Sequence, residues 1–289
     1  MIINKKRTSL FLLFSSILCV LILYVVGYLL CAPNQVDIGD IPVELKANGK
    51  SVTFKSKTGK DLSGWLIQGH ADKAGVLLMH GVRSNRLQMV DRAIFLNNLG
   101  YTVLLFDFQG HGESSGDNIT FGYLESKDAE GAFNFLESQI TNKKIGVIGV
   151  SLGGAATLLG DVIHKADALV IEAVFSTLEE AVKNRIEIRL GEFGRRLSPL
   201  LTSQLKPRLG FDIETISPLS RMSLINCPVY VIAGEEDQHT KIFESEEMYE
   251  KINSTKQFWK VSGAAHQDFY RFANKTYEKN ISDFFETYL

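Results

Sequence analysis

Residues 145–159 read IGVIGVSLGGAATLL, an apolar run that passes through a glycine-rich turn into a second apolar run. The first run predicts a strand buried on both faces, and the second predicts a helix. At the junction, Gly149 and Gly153 lie two residues before and two residues after Ser151, where small residues let the strand and the helix approach each other. The turn should hold Ser151 in a strained conformation beside a helix N-terminus, whose N–H groups can stabilise an anion.

Similar apolar runs recur along the chain and alternate with segments of helical spacing. Such runs are typical of strands buried on both faces, and the alternation is typical of a parallel sheet with right-handed crossovers. Short β-rich segments around Asn48-Gly49 and Thr58-Gly59 predict an antiparallel hairpin ahead of them. We therefore expect an α/β fold with a mostly parallel central sheet flanked by helices. The predicted strands are 43–46, 51–55, 64–68, 76–79, 103–106, 145–148, 168–171, 229–232 and 258–261, and the predicted helices are 86–98, 125–139, 153–164, 241–252 and 268–285.

One interval interrupts this alternation. More than fifty residues separate the strand that ends near Ile171 from the strand that begins at Val229, which is too long for a simple crossover. Leucines and arginines are interspersed in it, and a loop of this length is usually functional or a small subdomain. We expect a helical lid, inserted at about 175–225, whose amphipathic face covers the carboxyl edge of the sheet.

Residues with catalytic potential follow several of the predicted strands. His80-Gly81-Val82 follows one strand and the segment DFQGHGES (107–114) follows the next; GEED (234–237) and GAAH (263–266) follow the last two. Open parallel sheets place their sites at the carboxyl ends of the strands. The sequence therefore predicts that Ser151, Asp237 and His266 converge at one edge, in the chain order serine, acid, histidine.

With these motifs, residues 45–289 resemble the α/β-hydrolase superfamily, in particular its membrane-anchored single-domain serine hydrolases and the serine aminopeptidase-like group. The resemblance implies an α/β-hydrolase fold. It also implies that Ser151 is the nucleophile, that His266 is the general base and then the general acid, and that Asp237 holds the imidazole in the required tautomer. This chemistry requires neither a cofactor nor a metal.

The same resemblance assigns an oxyanion hole to the backbone N–H groups of Val82 and Leu152, and it makes Gly81, Gly149 and Gly153 the glycines of the elbow and the neighbouring turn. Two positions depart from the family pattern. Gln109 replaces a common arginine in the turn after the second parallel strand, and His239 replaces an aliphatic residue after the acid. Both departures concern the subfamily and the substrate more than the chemistry.

Alternative interpretations remain at each position. Ser151 could be a plain elbow serine in a non-catalytic relative, and Asp237 could cap a helix while Glu235 or Glu236 is the acid. Asp107 is better explained as a loop-stabilising residue than as a catalytic acid. His266 is preferred for its position after the last strand over the five other histidines, His70, His80, His111, His164 and His239.

Composition excludes some classes of function. The formal charge is −2, from 31 basic and 33 acidic residues, so there is no electrostatic footprint for nucleic acid. The three cysteines, Cys19, Cys31 and Cys227, form no C-x-x-C pair and are too few for a disulfide framework. No feature of the sequence specifies an oligomeric state.

The N-terminal segment has the composition of a membrane anchor. Residues 10–30 carry no charge and would form a helix of about 31 Å, close to the thickness of the hydrocarbon core. Basic residues precede this run and acidic residues follow it, which predicts a cytoplasmic N-terminus (1–9) and a translocated body (45–289) behind a linker (31–44). A cleaved signal peptide is the main alternative, and a lipoprotein site at Cys31 or a buried core helix is weaker.

These expectations lead to three functional hypotheses. The favoured one is hydrolysis of carboxylic esters or thioesters of apolar acyl groups, on small or lipid-like substrates that reach the site near the membrane. The second is a peptidase for short peptides, for which Glu172 and Glu192 are the candidate carboxylates to bind a free α-amino group. The third is a membrane-tethered binding protein that has kept the fold without catalysis.

Overall fold

The computed structural model describes residues 5–141 and 143–289, and its centre is an eight-stranded sheet of order β10-β9-β8-β7-β4-β5-β3-β2. β2 and β3 form an antiparallel hairpin, β3 pairs antiparallel with β5, and the other pairs are parallel. This confirms the predicted mostly parallel sheet. The strands are β1 (Asn34–Gln35), β2 (Gly49–Lys55), β3 (Asp61–Ile67), β4 (Gly75–Met79), β5 (Thr102–Phe106), β6 (His111–Gly112), β7 (Ile145–Val150), β8 (Ala168–Glu172), β9 (Val229–Gly234) and β10 (Lys256–Val261).

Helices cover both faces of the sheet and account for its continuous apolar strands. On β7, Val147 belongs to one buried apolar cluster and Ile148 to the other, and both side chains are fully buried. The helices are α1 (Lys5–Cys31), α2 (Val43–Lys46), α3 (Val90–Asn98), α4 (Glu125–Gln139), α5 (Leu152–Leu159), α6 (Val162–Lys165), α7 (Leu178–Arg195), α8 (Ser198–Thr202), α9 (Leu205–Leu209), α10 (Ile242–Glu250), α11 (Phe269–Phe272) and α12 (Asn274–Tyr288), with 3₁₀ turns at Arg86–Met89, Ile213–Thr215 and Pro218–Leu224.

The strand register brings the loops of the site to one level. Gly149 of β7 lies between Met79 of β4 and Ile171 of β8. Three adjacent parallel strands therefore end together, and the loops that leave them are neighbours. The loops after β9 and β10 leave the same edge, because Gly234 is paired with Val261.

The structure corrects the prediction of a strand at 43–46, where it has the one-turn helix α2. Val43 is 78% exposed and Leu45 is buried, a pattern that a strand and a single helical turn share. The helical turn is closed by the carbonyl of the N-cap residue Pro42, which accepts the Leu45 N–H at 2.9 Å. Two predicted helices are also divided: 153–164 at Gly160 between α5 and α6, and 268–285 at Ala273 between α11 and α12.

Between β8 and β9, the interval for which we expect a lid contains helices α7 to α9 and two 3₁₀ turns. Thr177 caps α7 by accepting the Glu180 N–H at 3.1 Å. Gly191 interrupts the helix with a φ of 67°, a conformation in which glycine is favoured. Beyond this kink the apolar side chain of Phe193 is 72% exposed.

The N-terminal helix α1 includes the predicted anchor, and Arg7–Cys31 is long and apolar enough to cross a membrane. Its last turns contact α8 and α9: the Arg208 side chain donates to the Tyr24 carbonyl at 2.6 Å and lies over the Tyr24 ring. The segment predicted as a linker is attached to the body, because β1 pairs with β6 at Asn34 and His111.

Candidate active site

Ser151 lies at the bend between β7 and α5 with φ 49° and ψ −104°. This is a strained conformation for a residue with a side chain, and its N–H is held by the Glu172 carbonyl at 2.7 Å. A Cβ on Gly149 would lie 2.6 Å from the backbone of Gly153, and one on Gly153 would lie 2.4 Å from the Met79 carbonyl oxygen. Packing of α5 on the sheet therefore requires both glycines.

Gly81 has no such steric requirement. Its φ is not positive, and a Cβ there would have its nearest contact at 3.5 Å, with Gln88. That added atom would also lie 3.8 Å from the Cβ of Ser151. A side chain at this position would therefore narrow the space beside the serine without disturbing the backbone.

The structure places His266 against Asp237. His266 Nδ1 lies 2.7 Å from Asp237 Oδ2, and the carboxylate also accepts the N–H groups of His239 and Thr240 and the Thr240 hydroxyl. Burial would raise the pKa of Asp237, but the bond and charge of His266 and the bonds of Thr240 hold that pKa below its ordinary value. Asp237 is thus ionised and buried, and Nε2 is the ring nitrogen of His266 that remains for proton transfer.

The other carboxylates considered as the acid, Glu235, Glu236 and Asp107, have different surroundings. Glu235 and Glu236 are exposed, whereas Asp237 is 2% exposed. Asp107 is buried and accepts the Arg86 N–H and guanidinium, both at 2.7 Å, together with the Glu113 N–H. Asp107 therefore stabilises its own loop, as its glycine-rich context predicts.

Ser151 and His266 line one cleft of about 330 Å³, near the lower limit for small-molecule sites. Val82, Val150 and Ala173 give the cleft a small apolar part. A more open hollow of about 450 Å³ lies beside Asp37 and Glu113. It contains none of the predicted catalytic side chains, so we assign the chemistry to the cleft.

Hydrogen bonds hold the loop after β4 on both sides of Val82. The Gly81 N–H donates to Gln88 Oε1 at 2.8 Å and the Arg83 N–H donates to His111 Nε2 at 3.1 Å. Among hydrogen bonds of the described residues, none uses the Val82 N–H. Leu152 is the first residue of α5, so its N–H has no partner within the helix. The two amides predicted for an oxyanion hole thus lie beside the cleft and beside Ser151, respectively.

Two buried histidines support this loop as neutral rings. In both, Nδ1 faces a carbonyl and Nε2 accepts a backbone N–H: His80 between Gly81 and Phe108, and His111 between Gln109 and Arg83. Burial lowers the pKa of His80 to about 3 and that of His111 to about 4. Both are structural, as their positions in turns predict.

A buried ion-pair network connects the strand beside Ser151 with the loop of His266. Arg92 Nη2 lies 2.7 Å from Glu172 Oε2, and Arg92 Nη1 lies 3.1 Å from Asp268. The Tyr277 hydroxyl donates to Glu172 at 2.5 Å. Arg92 and Glu172 are each about 1% exposed. Glu172 is one of the two candidates for binding an α-amino group. Both of its carboxylate oxygens are already bound inside the protein by Arg92 and Tyr277.

Sequence reasoning missed Arg92 and Arg185. Arg92 is 80 residues from Glu172 along the chain, so no local pattern connects them. Arg185 lines the cleft from the lid helix α7, where arginines are common and the sequence indicates only an amphipathic face. His239, noted as a departure from the family pattern, also lines the cleft.

The family model described as serine aminopeptidase, S33, matches residues 70–210. The chain is similar to the uncharacterized protein YqkD of Bacillus subtilis, with 27% identity over 237 residues that cover 80% of this chain and 77% of that protein. It is also similar to the alpha/beta hydrolase domain-containing protein WAV2 of Arabidopsis thaliana, with 25% identity over 86% of this chain and 82% of that protein.

Among solved structures, an esterase of Pyrococcus furiosus has a TM-score of 0.72 and 26% identity, over 89% of this chain and 97% of that one. An esterase from Exiguobacterium antarcticum has a TM-score of 0.61 over 82% of this chain and all of its own, and at 15% identity it shows the fold alone. With the sheet order and the strained turn at Ser151, these similarities show that the chain has the α/β-hydrolase fold and is a hydrolase.

Proposed function

We propose that the protein is a serine hydrolase that cleaves carboxylic esters or thioesters of small apolar acyl groups through Ser151, His266 and Asp237. The observation that carries this proposal is the shared cleft of Ser151 and His266, with Asp237 buried behind the imidazole. The cleft volume and its apolar part suit a short acyl chain.

In the proposed mechanism, the Ser151 hydroxyl attacks the acyl carbon while His266 Nε2 takes its proton. Asp237 stabilises the imidazolium that forms. The backbone N–H groups of Val82 and Leu152 bind the oxyanion. His266 then protonates the leaving alcohol or thiol, and a water molecule activated by the same ring hydrolyses the acyl-enzyme.

The carboxylates favour an ester over a peptide with a free amino group. Glu172 is held by Arg92 and Tyr277, and Glu192 is exposed on the kink of the lid next to Gly191. The carboxylate that lines the cleft, Asp268, is bound to Arg92. Of the residues that the structure describes, none offers an unpaired carboxylate in the cleft to an α-amino group.

We also propose that α1 anchors the protein in a membrane, with residues 1–9 in the cytoplasm and the hydrolase body on the other side. The basic residues before the apolar run and the acidic residues after it support this orientation. Protease added outside sealed right-side-out vesicles should digest the body, whereas inverted vesicles should protect it. Digestion only in inverted vesicles would reverse the orientation.

Labelling by a fluorophosphonate probe tests the nucleophile. Ser151→Ala should abolish labelling of the full chain, and His266→Ala should slow it strongly. Ser223→Ala, which changes an exposed serine far along the chain from the elbow, should label like the wild type. Labelling that persists in Ser151→Ala would exclude this nucleophile.

A substrate comparison tests the reaction class. p-Nitrophenyl butyrate should be hydrolysed with a higher kcat/KM than aminoacyl p-nitroanilides. The reverse preference would favour the peptidase hypothesis. A wild-type chain that neither reacts with the probe nor turns over either substrate would favour a binding protein.

A further inference from the structure

Arg185 extends from the lid helix α7 into the cleft that contains Ser151 and His266. Its Nη1 donates to the Ala181 carbonyl, one turn earlier in the same helix, at 2.9 Å. This bond fixes the direction of the side chain and leaves most of the guanidinium donors for the cleft. An arginine held in this way is already oriented before any ligand arrives.

Among the described residues Arg185 has no carboxylate partner, although its helix is rich in carboxylates. The helix carboxylates are instead bound to other cations: Lys183 to Glu179 and Glu180, Arg195 to Glu180 and Glu187, and Lys241 to Glu187. Within residues 5–141 and 143–289, no carboxylate lies within ion-pair distance of Arg185. A mostly buried guanidinium without a counter-ion is costly, so its retention in a cleft calls for a ligand.

His239 provides a second polar group at the same place. Its ring centroid lies 5.1 Å from that of His266, and its Nδ1 is buried without a hydrogen-bond partner. Its backbone N–H, by contrast, is bound to Asp237. Burial, together with the positive charge of Arg185, lowers the pKa of His239. The ring is therefore neutral and can donate one hydrogen bond to a ligand.

The two carboxylates that attract Arg185 direct their hydrogen bonds to other groups. Asp237 is satisfied by His266 and Thr240, and Glu244 is bound to Ser176 and Asn184. Arg189 lies one turn further along α7, where like charges repel. Burial, with Arg189 nearby, lowers the pKa of Arg185 despite the distant attraction of Asp237 and Glu244.

We propose that Arg185 and His239 form an anion-binding subsite, so that the substrate carries a carboxylate or phosphate group next to the bond that Ser151 cleaves. The proposal rests on the proposed serine hydrolase function and narrows its substrate class. A guanidinium binds planar or tetrahedral oxyanions with two parallel N–H bonds. A neutral ester bound in the cleft would leave Arg185 unpaired, and this cost discriminates against neutral substrates.

Three butyryl esters that differ only in the leaving group test the subsite on the full chain in detergent: butyryl glycerol, butyryl glycerol 3-phosphate and butyryl lactate. We expect kcat/KM to be about 10- to 100-fold higher for at least one anionic ester than for the neutral one. A comparison of kcat/KM between the phosphate ester and the carboxylate ester shows which anion the subsite accepts. A wild-type enzyme that prefers the neutral ester would overturn the proposal.

Arg185→Gln should reduce the ratio of anionic to neutral kcat/KM to about 1. Arg196→Gln removes the same charge from an exposed position on the lid and should keep the wild-type ratio. Probe labelling of Ser151 in each variant reports an intact site. An unchanged ratio in a labelled Arg185→Gln variant would contradict the proposal.

Binding to Ser151→Ala separates this inference from the proposed function. Calorimetric titration of this variant with butyryl glycerol 3-phosphate should detect binding that Arg185→Gln weakens by about 10-fold or more. Arg185-dependent binding would support the subsite even if the wild type hydrolyses nothing. Equal binding to Ser151→Ala and to Ser151→Ala/Arg185→Gln would refute the subsite. It would not contradict hydrolysis by Ser151.

Discussion

The rings of His80 and His111 meet edge to face with centroids 5.1 Å apart, and each ring accepts a backbone N–H at Nε2. Protonation of either ring would remove that acceptor and place a charge in the interior below the loop of Val82. The free energy of unfolding should therefore depend on pH through the protonation of these two rings.

This arrangement predicts that the two rings destabilise the protein as pH falls below about 6.5, whereas Asp128, whose pKa burial raises to about 7, contributes a slope of opposite sign. The histidine pKa values are about 3 and about 4 in the folded chain and about 6.5 when unfolded. Between about pH 4 and 6.5 each of these histidines binds a proton in the unfolded chain but not in the folded chain, so its contribution to the free energy of unfolding falls as pH falls. Each histidine contributes a slope of up to about 1.4 kcal/mol per pH unit.

Urea unfolding measured between pH 4.5 and 7 checks this slope. His111→Asn keeps a short polar side chain but cannot titrate, and it should reduce the slope by about 1.4 kcal/mol per pH unit. His70→Asn, at an exposed position, should leave the slope nearly unchanged. A slope in His111→Asn equal to that of the wild type would contradict the assignment of a neutral buried ring at His111.

Asp237→Asn should retain the fold but lower kcat by about 10³- to 10⁴-fold, the effect of losing the correct imidazole tautomer in triad enzymes. The amide cannot serve as the anionic acceptor for His266 Nδ1. Glu236→Gln removes a charge from the exposed neighbour and is the matched control. If Glu236→Gln is inactive and Asp237→Asn is active, the acid has been wrongly assigned.

Gly153→Ala and Gly81→Ala test whether a methyl group at each glycine affects the stability of the fold or the acylation of Ser151. The added methyl at Gly153 would overlap the Met79 carbonyl, and we expect it to lower the free energy of unfolding by about 3 kcal/mol. At Gly81 the methyl fits, so stability should change little while acylation of Ser151 slows. Urea unfolding and probe labelling measure the two effects, and equal stability loss in both variants would refute this distinction.

Arg92→Met should destabilise the protein by about 3–5 kcal/mol, because it leaves Glu172 and Asp268 without their cation in a buried setting. The double variant Arg92→Met/Glu172→Gln should recover part of that loss, because the uncompensated charge on Glu172 is also removed. A double-mutant cycle with urea unfolding gives the coupling energy. Strictly additive losses would show that the ion pair makes no net contribution.

The local sequence predicted much of this architecture because its evidence lies within short segments. Apolar runs identified the buried strands, and the glycines around Ser151 identified the strained turn. The same kind of evidence failed at 43–46, because a run of four residues fits a strand and a helical turn equally well. Local patterns also did not show where two predicted helices divide.

Sequence alone determined which side chains can do chemistry in this protein and at which strand ends they lie. The tertiary structure decided which charges are free. Glu172 forms an ion pair with a residue 80 positions away. In the part of the chain that the structure describes, no carboxylate pairs with Arg185 in the cleft. The physical reason is that pairing and burial depend on distances in space, which strand order and lid position set and which no local pattern encodes.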